Sequence, residues 1–411
     1  MAKKPVVNKD LLVAIDIGTS KVVTLVGETS PEGKLNIVGF GTHPSQGLKR
    51  GVVVDIESTV QSIQRAVEDA ELMAGCEIYS AYTGIAGSHI RSLNSHGIVA
   101  IKDQEVSASD VERVIDAARA IAIPADQKVL HVLPQEFIID HQDSIREPIG
   151  MSGVRLEAKV HIVTGAVSAA QNIVKCMKRC GLAASDVVLE QFASSQSILT
   201  DDEKNLGICM IDIGGGTSDI AIFTDGAIRH TAVIPIAGDQ VTNDIAIALR
   251  IPTKHAEEIK IQYGTALPAT VTDDEIIELP SVGDRPARSI PRKTLAEVIE
   301  ARYEELFKLA FKEITRSGFA ELISAGVVLT GGAAKVEGAQ TLAEGIFQAP
   351  IRIGKPSAVI GHHDIVNNPV YATSVGLLVY GNKQRLNLRE GGNTQQHGIW
   401  SRMKNWFQGN F

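Results

Sequence analysis

The sequence predicts an α/β protein of two related lobes, each carrying a smaller subdomain. Three observations predict it. A strand–turn–strand unit with Asp-Ile-Gly at its turn occurs twice, at Asp16 and at Asp212. A late apolar strand, Val327-Val328-Leu329-Thr330, runs into a third glycine turn at Gly331-Gly332. Two excursions, residues 85–164 and 252–314, separate the pieces.

Taken in order, residues 11–17 are an apolar run ending in Asp16-Ile17-Gly18-Thr19-Ser20-Lys21. A second β-rich run follows over 21–27, and a tight glycine turn between two strands makes a hairpin. Residues 35–40 are a third strand. Over 55–74, Ile56, Val60, Ile63, Val67 and Ala70 recur at helical spacing. The same order returns with an apolar run at 206–213 ending in Asp212-Ile213-Gly214-Gly215-Gly216-Thr217. Strands at 220–223 and 228–236 and a helix at 240–249 follow it. This is duplication at the scale of a lobe, too long a period for a solenoid.

The first excursion holds a helix at 107–123 opened by Ser107, strands at 129–133, 136–141 and 154–163, and a Gly/Pro-rich loop at 146–153. The second holds a helix at 255–263, an acidic stretch at 272–278, a basic one at 285–293 and a helix at 295–314. The expected division is a first-lobe core of 11–84, 165–204 and 360–384, with 85–164 inserted. A second-lobe core of 205–251 and 315–359 follows, with 252–314 as its outer subdomain. Residues 385–396 read as a flexible linker, and 397–411 as an amphipathic helix carrying both tryptophans of the chain.

Composition narrows the function. With 411 residues, the chain is long enough for two or three domains with their own cores. Aromatics are 4% and the net charge is -8, which argues against nucleic acid as a partner, because that affinity rests on cations and stacking platforms. Residues 1–10 lack the apolar core of a signal peptide, and no apolar run nears the roughly 20 residues that span a bilayer. A cytoplasmic chain is expected, and its four cysteines suit a reducing compartment. Cys176 and Cys180, at i, i+4, read as buried small hydrophobes rather than metal ligands. His362-His363-Asp364 reads as a polar loop without further ligands nearby.

The glycine turns carry the chemistry. At Gly18 a turn without a side chain lets backbone N–H groups approach an anion, with Thr19, Ser20 and Lys21 adding donors and charge. Gly214, Gly215 and Gly216 expose a row of N–H groups beside the Thr217 hydroxyl. Gly331 and Gly332 let a base and ribose lie against backbone. Asp16 and Asp212, at strand ends, suit water bound to Mg²⁺. Each turn alone also occurs in plain structural hairpins. Together, in this order, they resemble the actin-like ATPase superfamily of actins, heat-shock chaperones and sugar kinases. That resemblance implies an actin-like, ribonuclease-H-like fold. It also implies ATP held by its phosphates between the two hairpins, with adenosine against the late turn. Glu257 and Lys260, at i, i+3 on one helix face, match residues that touch adenosine in the superfamily, and also read as a solvated ion pair.

A narrower resemblance rests on Ala14-Ile15-Asp16-Ile17-Gly18-Thr19-Ser20-Lys21, His131-Val132-Leu133-Pro134-Gln135-Glu136-Phe137, Ile145-Arg146-Glu147-Pro148-Ile149-Gly150-Met151 and the tryptophan-bearing tail. From about residue 11 to the end these resemble the FtsA family of bacterial cell-division proteins. The resemblance implies that residues 85–164 stand in for an actin subdomain attached elsewhere. It implies actin-like polymers, weak or no ATP hydrolysis, and binding of the C-terminal peptide of the tubulin-like FtsZ. It further implies tethering of FtsZ to the cytoplasmic face of the inner membrane at the septum, and recruitment of later division proteins.

The tail has its own logic. As a helix, Trp400, Met403 and Phe407 fall on one stripe flanked by Ile399 and Trp406, with Arg402 and Lys404 to the sides. A short basic helix rich in Trp and Phe after a polar linker suits a membrane interface, each cation adding about 1 kcal/mol near anionic lipid. The alternative is a helix docked on its own core. Arg285, Arg288, Arg292 and Lys293 form a basic cluster; Arg292 and Lys293, with Arg302, are expected to receive the FtsZ peptide, the alternative being a solvated loop. A small-molecule kinase on the same fold is the competing function. It needs a general base, and no residue is assigned that role; Gln135 lies where the inserted subdomain disturbs the family pattern.

Overall fold

The structure is a computed structural model that describes residues 11–30, 34–280 and 286–391. The expected membrane helix, with Ile399, Trp400, Arg402, Met403, Lys404, Trp406 and Phe407, lies outside the described residues, as does Arg285. No described helix is long and apolar enough to cross a membrane.

The chain opens with β1 (Leu11–Ile17), β2 (Lys21–Thr29) and β3 (Leu35–Pro44), then the short pair β4 (Leu48–Lys49) and β5 (Val52–Val53). Helix α1 (Ile56–Ala74) starts where the Asp55 carboxylate accepts the backbone N–H groups of Glu57 and Ser58, and ends at Gly75 in a left-handed turn. After β6 (Ser80–Ile85) comes the insert: β7 (Arg91–Ala100), α2 (Ala108–Arg119), β8 (Gln127–Ile139), β9 (Gln142–Ile145) and β10 (Arg155–Ala166). Helix α3 (Val167–Arg179), β11 (Ala183–Leu189), α4 (Glu190–Ile198) and α5 (Asp201–Leu206) lead out of the first lobe.

The second lobe runs through β12 (Ile208–Ile213), β13 (Ser218–Thr224), β14 (Ala227–Ile234), α6 (Gly238–Leu249) and α7 (Thr253–Tyr263). Its outer part adds β15 (Ile276–Leu279), β16 (Arg288–Pro291) and α8 (Arg292–Ser317). Then come β17 (Val327–Thr330), α9 (Ala339–Phe347) and β18 (Ile351–Ile353). Finally β19 (Val359–Gly361), the one-turn α10 (His363–Val366) and α11 (Ala372–Gly391) return to the first lobe.

The duplication is visible in the sheets. The first lobe orders its strands β11-β6-β1-β2-β3-β19, and the second β14-β13-β12-β17-β18. In both, a central strand pairs antiparallel with the strand after the glycine turn and parallel with the strand on its other side. Both sheets are covered on two faces, which is why β1 and β12 read as continuous apolar runs rather than alternating ones. On one face of the first sheet Ile15 and Val22 pack with Ile63 of α1; on the other, Ala14 and Leu25 pack with Leu377 and Leu378 of α11. The second lobe gathers Ile211, Ile222, Leu306 and Phe307 into one core, where Phe307→Ala would cost about 3–5 kcal/mol. The insert keeps a core of its own around Val114, Leu156 and Ile162.

Four expectations shift. The two strands expected at 129–141 are one, β8, carrying a bulge between Pro134 and Glu136. The helix expected over 107–123 stops at Arg119. The helix expected at 295–314 starts at Arg292, directly after Pro291, so Arg292 and Lys293 lie on a helix rather than a basic loop. Helix α11 continues to Gly391 and so takes over the start of the expected linker at 385–396.

Candidate functional site

The two equivalent turns face each other across the lobes. In each, the first glycine N–H donates three residues on: Gly18 to the Lys21 carbonyl at 3.1 Å, Gly214 to the Thr217 carbonyl at 3.0 Å. They nearly touch. A Cβ on Gly215 would stand 3.0 Å from Ser20 Cβ, and one on Gly216 2.6 Å from Thr19 Oγ1, so side chains are excluded where the turns meet. The Thr19 hydroxyl accepts from the Gly51 N–H at 3.0 Å, and the turn at 214–216 is propped by Gly238 N–H to the Gly214 carbonyl (3.1 Å) and Asp239 N–H to the Gly215 carbonyl (2.8 Å).

Between the turns lies a cleft of about 550 Å³. Asp16, Gly18, Thr19, Ser20, Lys21, Asp212, Gly214, Gly215, Gly216, Thr217, Glu257, Lys260, Gly331 and Gly332 all line it, so the fourteen residues expected at a nucleotide come together. Lys260 Nζ bridges Glu257 (2.6 Å), Thr242 Oγ1 (2.7 Å) and the Gly238 carbonyl (3.1 Å). That turns the expected i, i+3 pair into a fixed strut between α7 and α6. Gly331 has φ of +88° and packs against the Asp212 carboxylate.

The floor is acidic and buried. Asp212 Oδ2 accepts from Ser194 Oγ (2.6 Å) and Thr373 Oγ1 (3.3 Å), hydroxyls brought by α4 and α11. Burial pushes the Asp212 carboxyl up, and those two hydroxyls hold it down. Burial raises Asp16 against the opposing pull of Lys21, and lowers Lys21 in turn. Asp219 rises to about 7 through burial and the like charge of Asp212, although Thr217 Oγ1 donates to it at 3.0 Å. Glu190, at the start of α4, is raised well above the carboxylate range by burial and three nearby aspartates. Asp219 Oδ1 is buried without a protein partner. A divalent cation fits such a floor: it would charge-compensate buried acids that are otherwise driven toward neutrality. Among the described residues no group of three His, Cys, Asp or Glu could hold a metal ion, so Mg²⁺ here would need water and phosphate ligands.

Glu190, Asp219, Ser194 and Thr373 were not anticipated. Glu190 ends the apolar run Val187-Val188-Leu189 as Asp16 and Asp212 end theirs, and that signal could have found it. Gln135 plays no part in the cleft. Its amide donates to the Ile228 carbonyl at 2.9 Å and to Asn94 at 3.2 Å, joining the insert to β14.

The three cations expected to meet a partner's peptide do not stand free. Arg292 pairs with Glu275 and Glu337, Lys293 with Asp273, and Arg302 with Asp244 and Glu305. An incoming acidic peptide would have to displace these carboxylates.

Two matched α/β lobes closing glycine turns over an acidic cleft define an actin-like protein. Solved structures agree on the fold. The PilM–PilN type IV pilus biogenesis complex aligns with TM-score 0.66 at 15% identity, covering 90% of this chain and 98% of that one. MreB5 of Spiroplasma citri bound to ADP aligns with TM-score 0.57 at 15% identity, covering 93% and 99%. A MamK double helical filament gives 0.51 at 13% identity, covering 90% and 98%. The family profile described as "Cell division protein FtsA" matches residues 209–376, and the one described as "SHS2 domain inserted in FTSA" matches 87–164. Proteins named cell division protein FtsA are 61% identical over 98% of both chains in Pseudomonas aeruginosa, and 46% identical over 98% of this chain and 99% of its relative in Escherichia coli K12. The chain belongs to the FtsA family of cell-division proteins, and residues 87–164 are the inserted SHS2 domain.

Proposed function

We propose that this chain binds ATP with Mg²⁺ in the interlobe cleft. Binding would order an actin-like polymer that ties FtsZ to the cytoplasmic face of the inner membrane at the division septum. The observation that carries this reading is the meeting of two matched Asp–Gly turns over buried acids, in a chain of a cell-division family. Gly18 to Lys21 and Gly214 to Thr217 hold the phosphates. Gly331, Gly332, Glu257 and Lys260 hold the adenosine. Asp16 and Asp212 hold Mg²⁺ through water. Lobe closure over such a ligand is the step that assembly would read. Hydrolysis is weak or absent in this reading, as the family resemblance implies.

The remaining roles follow the family. The outer subdomain of lobe 2 docks the FtsZ C-terminal peptide, with Lys293 and Arg302 exchanging Asp273, Asp244 and Glu305 for the peptide's acids. Residues 397–411 bind inner-membrane lipids reversibly, polymerisation strengthens that binding through multivalency, and later division proteins join the assembly. Nucleic acid has no part.

Co-sedimentation with anionic liposomes tests the reading, using the full chain and one ending at Gln396, with and without Mg-ATP and FtsZ. The full chain is expected to pellet with lipid and carry FtsZ down, more strongly with ATP; the shortened chain is expected to stay in the supernatant. Equal pelleting by both chains would refute the tether.

A further inference from the structure

Arg292 was expected to serve a partner's peptide, and its surroundings assign it elsewhere. It opens α8 with its side chain only 22% exposed. Nε donates to the Tyr263 carbonyl at 2.8 Å, Nη1 to Glu275 at 2.7 Å and Nη2 to Glu337 at 3.0 Å. Its backbone N–H adds a bond to the Glu275 carbonyl at 2.8 Å.

The three acceptors lie on three segments. Tyr263 closes α7, the helix of Glu257 and Lys260. Glu337 follows the Gly331-Gly332 turn, and its carbonyl accepts from Ala266 N–H (2.7 Å) and Thr265 Oγ1 (3.2 Å). Glu275 precedes the hairpin β15–β16 of the outer subdomain. Arg292 and Glu337 line the cleft together with Ile261, Gly264 and Val336, all on lobe 2.

We propose that Arg292 is the positioning residue of the nucleoside end of the cleft. It pins α7, the segment after the late glycine turn and the outer subdomain into one wall. Three of the guanidinium's five N–H donors are spent on protein, one on each nitrogen, which fixes its plane where it lines the cleft, and the face of that plane stacks on a purine base. Lysine differs in the feature that matters here: its three donors sit on one nitrogen rather than on a planar fork, and it has no flat face to offer a base. The ligand class is therefore a purine nucleotide, read at its base by lobe 2 alone. The inference rests on the ATP reading above and adds to it the residue that sets nucleoside affinity, while phosphate affinity stays with the two turns.

The test uses the full chain and its variants Arg292→Lys, Arg292→Ala and Glu337→Gln. ATP affinity is measured by titration calorimetry in Mg²⁺, inorganic tripolyphosphate serves as a probe without base or sugar, and melting curves check folding. Arg292→Lys is expected to weaken ATP about tenfold or more, because charge-assisted bonds and stacking are lost together. The tripolyphosphate response, however small, stays as in the parent, and Glu337→Gln gives a smaller loss of the same kind. Should Arg292→Ala fail to fold, the other two variants carry the comparison. ATP binding by Arg292→Lys equal to the parent's would overturn the inference and leave the ATP reading standing. So would a parallel loss of tripolyphosphate, which would place the effect at the phosphates. A parent chain that binds no ATP would overturn both.

Discussion

Gly331 shows how much one atom decides. Its φ is +88°, and a Cβ there would stand 2.4 Å from Asp212 Oδ1 and 2.5 Å from the Ile213 carbonyl. Gly331→Ala therefore pays about 1 kcal/mol or more for the left-handed backbone and must also push the carboxylate of the other turn aside. ATP affinity is expected to fall at least tenfold, with the melting temperature down by several degrees; calorimetry and thermal melts read the two effects separately. Gly215→Asp acts at the opposite turn, where a new carboxylate beside Ser20 would face the phosphates. Loss of ATP binding by a folded Gly215→Asp chain is the expected outcome, and retained affinity would contradict the phosphate assignment. Such residues were legible because each pairs a strand-ending carboxylate or apolar run with a glycine turn. Glu190 was not, because a helix follows it instead of glycine and only the fold turns it toward Asp16 and Asp212. The pairs of Arg292 with Glu275, Lys293 with Asp273 and Arg302 with Asp244 were equally hidden, since each joins residues distant in sequence.

At the scale of elements, the type of each strand and helix was legible where periodicity was long, as in α1, and the misreadings fall where chain chemistry is ambiguous. Pro134 falls between the strands expected at 129–133 and 136–141, and proline cannot donate to the ladder. The strand instead absorbs it in a bulge, which re-aims Gln135 at β14. That contact belongs to a polar seam between the insert and lobe 2. Ser92 Oγ donates to the Thr231 carbonyl (2.9 Å), Asn94 Nδ2 to the Arg229 carbonyl (3.2 Å), and His161 bonds Asn94 (2.8 Å) and Thr231 Oγ1 (3.0 Å). Burial, with the nearby His230 charge, drives His161 from 6.5 down to about 3. Its folded pKa lies below its unfolded one, so the unfolded chain takes up a proton first as pH falls. The stability this neutral histidine permits is complete above pH 6.5 and drains by up to about 1.4 kcal/mol per pH unit between 6.5 and 3. His161→Gln is expected to flatten that slope in urea melts at pH 7, 6 and 5. An unchanged slope would mean another group titrates.

Across the whole molecule, the seam gives the insert a line to the interlobe cleft. The insert belongs to the first lobe by chain order, yet it grips the hairpin β13–β14 of the second. Arg146 adds bonds to Asn205 (2.7 Å) and the Asp225 carbonyl (2.8 Å) at the hairpin's tip. The other end of the same hairpin is the second glycine turn: Gly214 to Thr217 precede β13, and Gly238 and Asp239, which follow β14, are bonded back to Gly214 and Gly215. A rigid antiparallel pair thus has the insert on one end and the cleft on the other. A ligand that orders the turn should then order the insert, and by linkage the insert should bias the ligand equally. Hydrogen exchange with and without Mg-ATP can follow this. In the parent, ATP is expected to slow exchange both at 213–218 and in β7 and β10. In Ser92→Ala/Asn94→Ala, protection at 213–218 should remain while that of β7 and β10 falls away, with ATP affinity shifted by the matching factor. If ATP protects β7 and β10 as well in the variant as in the parent, the seam does not carry the signal, and the two ends of the hairpin act independently.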